Sequence, residues 1–204
     1  LESQKSGKRS LALPITLIIL VFSLIGNVFL YSQFLQHKQQ IKHDTGQRIY
    51  NAAVSSQQYA SEMIPLLDAL LQSKTLDERL GLVYNIGKLS GKGSGLTELA
   101  AEAAVISDDT AAWDTGVPAM YVSNAEAGLL AAGRYEGVLN DSDAAYVSGL
   151  KSSYVALNGV LGKFNANIGE TRIAVIRLAS GLDWMELAKQ SMETMAEQAA
   201  RPVK

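Results

Sequence analysis

The stretch LALPITLIILVFSLIGNVFLY, Leu11 to Tyr31, decides how the rest of the chain is read. It holds no Asp, Glu, Lys, Arg or His over twenty-one residues. A bilayer core of about 30 Å is crossed by about 20 apolar helical residues. The run therefore reads as a transmembrane helix. A cleaved signal peptide is the rival reading. Its apolar core would be only ~7–15 residues long and would end at small residues. This run is longer, no Ala-x-Ala follows it, and Val21-Phe22-Ser23 is a poor cleavage site, so an uncleaved anchor is expected.

On the N-terminal side stands a basic head, residues 1–10, with Lys5, Lys8 and Arg9. Positive charge beside a first apolar segment favours the cytoplasm. Lys38, Lys42 and Arg48 follow on the far side, but Lys8 and Arg9 lie closer to the run. The expected topology is single-pass in the cell membrane, N-terminus cytoplasmic, C-terminal domain extracytoplasmic. The ten-residue head is expected to be too short for an output domain. Within the run, Ser23 and Asn27 are four apart and share a helix face with Leu30. This face reads either as a transmembrane self-association site or as polar groups hydrated near the outer interface. Tyr31 and Phe34 suit an interfacial aromatic belt.

Residues 32–74 read as a juxtamembrane helix. Ile49, Ala53, Ser56, Ala60, Met63, Leu67 and Leu70 recur at steps of four and three, the stripe of a helix buried against another. Asp44-Thr45-Gly46 is expected to break it, since Gly costs about 1 kcal/mol in a helix interior. Pro65 is expected to kink it or to start a new helix.

Residues 75–204 read as a helical bundle that packs with residues 47–74. Thr75-Leu76-Asp77-Glu78 is a capping box, opening a helix expected to end near Leu89. Ser90 to Gly95, SGKGSG, reads as a turn. Leu96, Leu99, Ala103 and Ile106 form the next stripe. A second capping box, Ser123 to Glu126, predicts a helix through about Leu139, and Asn140 to Asp143 caps the one after. Val147, Leu150, Tyr154, Leu157, Leu161 and Phe164 make the cleanest periodicity of all, a helix of about six turns. Residues 165–171 read as a turn. Ile173 to Leu178 reads as helix, although so short a run is also compatible with a strand. After Ser180-Gly181, Asp183 to Glu186 resembles a cap for a last helix that ends at Arg201-Pro202. The expected fold class is thus all-α: one N-terminal transmembrane helix and an extracytoplasmic antiparallel bundle. In outline the layout resembles helical extracytoplasmic sensor or scaffold domains of bacteria.

The chemistry-bearing residues are sparse. There is no Cys, which excludes disulfides and thiolate zinc sites. Both histidines, His37 and His43, lie just past the anchor, six apart and so on different helix faces rather than at a metal-binding i, i+4 spacing. No metal or cofactor is expected. Gly87 to Gly93 mimics a phosphate loop but has three residues, not four, before Gly-Lys and no Ser or Thr after it. Asn140 to Asp143 lacks the Gly and the twelfth-position Glu of a calcium loop. The net charge of −2 argues against nucleic acid. Carboxylates such as Asp108, Asp109 and Asp114 could in principle serve an enzyme, but adjacent acids are ordinarily just solvated. The expected function is a non-enzymatic protein-interaction or scaffold module of the cell envelope, contacting a protein partner or itself. A small-molecule sensor that signals through a partner is the alternative, and a carboxylate-based enzyme a distant second. Candidate interaction residues are Trp113 and Asp114 in a loop, and Met185, Met192 and Met195 on one face of the last helix. Loops often carry function and methionine faces adapt to partners. The competing readings are a ring pinning its loop and an ordinary core stripe.

Overall fold

The computed structural model describes residues 12–107 and 113–199. Among them are six α-helices, one 3-10 helix and no strand. The helices are α1 (Ala12–Gln72), α2 (Leu76–Ile106), α3 (Gly116–Ala131), α4 (Asp141–Leu161), α5 (Arg172–Leu178) and α6 (Met185–Ala199), with the 3-10 helix at Ala166–Glu170. Contacts divide the chain into two units, Leu1–Ile41 and Lys42–Lys204. In the first unit, the described residues form one helical stretch of α1, exposed at every position except Gly26.

The described residues of the second unit share one apolar core. Ile49, Ala53, Ala60, Met63, Leu67 and Leu70 of α1 are all buried in it, with Ser56 among them. The expected break at Asp44-Thr45-Gly46 does not occur, and α1 runs through it. Gly46 serves packing instead: a Cβ there would lie 2.0 Å from the Val175 carbonyl oxygen. Pro65 also lies inside α1. It sits on the exposed side, where water can satisfy the carbonyl its missing N–H leaves free.

α2 begins at the Thr75–Glu78 capping box, with the Thr75 hydroxyl accepting from the Glu78 amide and the Glu78 carboxylate from the Thr75 amide. It continues to Ile106, so the expected turn at Ser90–Gly95 is helix. The reason lies in the neighbours. A Cβ on Gly95 would come within 2.9 Å of the Ala52 carbonyl oxygen, and one on Gly93 within 3.1 Å of Val122 and 3.3 Å of the Tyr59 ring. These glycines let α2 approach α1 and α3 closely. The Arg48–Glu102 and Glu62–Lys92 ion pairs show that α1 and α2 run in opposite directions.

α3 starts at Gly116, seven residues before the expected cap at Ser123. The Ser123 hydroxyl is inside the helix and donates to the Met120 carbonyl. α3 ends at Ala131 rather than near Leu139, because Gly133 and Gly137 adopt left-handed φ values of +69° and +92°. Asn140 caps α4 as expected, its side chain accepting from the Asp143 amide. α4 buries Val147, Leu150, Tyr154, Leu157 and Leu161, and Phe164 follows them into the core. α3 and α4 also run in opposite directions, joined by Tyr121 to Ser153 and by Tyr146 to the Asn124 carbonyl. Ile173–Leu178 is helical, within α5. α6 packs on α2, α3 and α4. The residue preceding α6 is Trp184, whose carbonyl accepts from Ala188. Asp183 stands one step earlier at φ +70°, 3.6 Å from Arg177.

Candidate membrane anchor and interaction sites

α1 contains the one segment among the described residues that is long and apolar enough to cross a membrane. Its most apolar window has a mean hydropathy of 2.4, and none of that window is buried. Leu13, Leu17, Leu20, Phe22, Leu24 and Val28 all stand exposed on it. The cause is local: a helix apolar on every side has no single face to turn toward a core and suits a lipid surround. Backbone polar groups are met within the helix, as lipid requires. Thr16, its hydroxyl otherwise a liability in hydrocarbon, donates to the Ala12 carbonyl at 2.8 Å. Ser23, Asn27 and Leu30 are exposed on the same helix. Leu11 lies outside the described residues.

The other candidates are scattered. Trp113 is half-buried and packs against the core from the segment just before α3. Asp114 is exposed, and its carboxylate accepts from the Gly116 amide at 2.9 Å. Asp108 and Asp109 lie outside the described residues. Met195 is 1 % exposed, inside the core, while Met185 and Met192 pack against it from half-buried positions. The three methionines therefore do not present one exposed face. Among the described residues no group of three or more acidic or histidine side chains is placed to hold a metal ion.

Two polar assemblies lie buried in the body. The first is a tyrosine cluster at the heart of the core. The Tyr59 and Tyr154 hydroxyls are 2.7 Å apart, and Tyr121 shares a hydrogen bond of 3.0 Å with Ser153. The Tyr154 ring lies 5.5 Å from Tyr59 and 5.3 Å from Tyr121, in edge-on and tilted contacts. Burial disfavours the phenolate and pushes Tyr59 up to about 12; it raises Tyr121 and Tyr154 as well. Ser153 also lines a small cavity of about 150 Å³ between α4 and α6, with Ser152, Thr194, Gln198 and the charged Glu197. Tyr154 belongs to the α4 stripe, but Tyr59 and Tyr121 lie beside the stripes read from the sequence.

The second is Arg79, buried on α2 at 1 % exposure. Its guanidinium donates to the carbonyls of Gly133, Tyr135 and Gly137, just past the end of α3. Those carbonyls have no helical partner, and a cation there also meets the negative end of the α3 dipole. Asp143 braces the same turn, accepting from the Gly133 amide and the Tyr135 hydroxyl, each at 2.9 Å. A sequence signal existed: Arg79, Val83 and Ile86 recur at helical spacing, so a cation stands in an apolar line. No family model, curated protein or solved structure matches the chain.

Proposed function

We propose that the chain is a single-pass membrane protein whose helical body is an antiparallel bundle on the extracytoplasmic side. There it acts as a non-enzymatic protein-interaction or scaffold module of the cell envelope. One observation carries the reading: the apolar window of α1 has no protein packed over it, whereas the same helix farther along supplies the core. Helical continuity past Tyr31 favours an anchor over a leader cut within the run. Opposed directions of α1 and α2, and of α3 and α4, with one shared core, support the bundle. The basic head at Lys5, Lys8 and Arg9 supports an N-terminus in the cytoplasm. A body without cysteine depends on apolar packing for its stability outside the cell.

The absence of native cysteine makes the test clean. Single cysteines replace Ser6 in the head and exposed Lys163 in the body, and intact cells meet a membrane-impermeant maleimide. The chain is expected in carbonate-washed membranes, with Lys163→Cys labelled at once and Ser6→Cys only after lysis. A soluble chain, or the reverse labelling order, overturns it.

The cavity between α4 and α6, walled by hydroxyls, an amide and the Glu197 carboxylate beside the tyrosine cluster, favours a second reading as a small-molecule sensor. A thermal-shift screen of small polar metabolites against the full chain tests it. Stabilisation that Ser152→Leu abolishes supports the sensor, and no shift from any ligand leaves the first reading ahead.

A further inference from the structure

Within the unit Leu1–Ile41, six residues recur at steps of four and three: Ser23, Asn27, Leu30, Phe34, His37 and Ile41. In a heptad frame Asn27, Phe34 and Ile41 take a positions, and Ser23, Leu30 and His37 take d positions. The phase is unbroken where the apolar run stops at Tyr31, so one line passes from the apolar segment into the polar stem. In the stem every residue from Ser32 to Ile41 is exposed, and Phe34 and Ile41 are each 52 % exposed. Lys38, at an e position, holds its ammonium 4.7 Å above the Phe34 ring. Large apolar side chains left exposed at heptad spacing call for a partner helix.

We infer that this line is the seam of a parallel contact between two copies of the chain. The inference rests on the anchor reading above and deepens it by naming the partner. Every copy in one membrane carries the same residue at the same depth, so the line meets itself in register. Asn27 points to this occupant. An asparagine at an a position faces its own copy across a parallel pair, hydrogen-bonds to it, and selects two strands in one register. A partner of another sequence would have to place a polar group at that one level of an otherwise apolar run.

The cysteine-free full chain, in its own membranes, allows the test. Single cysteines are placed at Leu30, Phe34 and Ile41 on the seam, and at Ser32 and Gln39 on the opposite, f-position face. All five positions are exposed, so the substitutions leave the core intact. Under mild oxidation the seam positions are expected to give a covalent product of two chains with a yield at least about fivefold above the f positions. In the Phe34→Cys background, Asn27→Ala is expected to weaken the pairing by about fivefold. Even yields at all five positions, higher yields at Ser32 and Gln39, or a product other than two chains overturn the seam while leaving the anchor in place. An unchanged yield with Asn27→Ala overturns the choice of a second copy as occupant. A chain found in the soluble fraction overturns both readings.

Discussion

Glycine plays opposite roles at positions only a few residues apart. Gly46 and Gly95 sit where another helix's or segment's backbone comes too close for a side chain, whereas nothing lies within 4 Å of a Cβ built on Gly87 or Gly91. Gly46→Ala should therefore destabilise the fold by about 2–3 kcal/mol. Gly87→Ala should stabilise it by up to about 1 kcal/mol, through helix propensity alone. Chemical denaturation of the full chain in detergent, followed by circular dichroism, compares the two. The tyrosine cluster gives a prediction with a pH window. Tyr59 ionises near 10 when unfolded and near 12 when folded, so between these values the folded state holds more protons than the unfolded one. Its contribution is complete below pH 10 and is lost as pH rises toward 12, with Tyr121 and Tyr154 acting in the same direction. Tyr59→Phe should cost about 1 kcal/mol at neutral pH, from the lost bond to Tyr154. It should also flatten part of the alkaline decline, which melting curves from pH 8 to 12 would resolve.

Helix ends are set by more than one device, and the devices differ in how openly the residues display them. The capping box at Thr75 is plain in the sequence, and Thr75→Ala should lower stability by about 1 kcal/mol. Hydrogen bonds from the Lys74 and Thr75 amides hold the Glu78 carboxyl below its usual range, so acid that protonates it weakens the same helix end. The end of α3 depends on Arg79, which comes from α2. Arg79→Lys keeps the charge but cannot reach three carbonyls in a plane, and should cost about 3 kcal/mol or more. If the melt of Arg79→Lys matches that of the parent, those carbonyls are satisfied by something else. The expected ends at Leu89 and Ser123 fail for one reason. Local residue type favours a turn or a cap there, but the helix continues because its faces are buried: Gly93 and Gly95 against α1 and α3, and Tyr121 and Ala125 in the core.

The chain as a whole combines a helix that buries nothing in its apolar stretch with a body that buries one core. Placing arginine at both Phe22 and Ile25 should oppose insertion by about 2.5–3.5 kcal/mol per residue and shift the chain from the membrane to the soluble fraction, as fractionation would show. An unchanged distribution would mean that the segment does not insert. The all-helical character, the apolar segment, the α4 stripe and the caps at Thr75 and Asn140 were readable from residue order, because each depends on neighbours three or four positions away. Residue order could not show that Gly46, Gly93 and Gly95 are packing seats, that Arg79 closes the turn after α3, or that Tyr59, Tyr121 and Tyr154 converge. Those features depend on residues dozens of positions apart, and only the packed helices bring them within hydrogen-bonding or van der Waals reach.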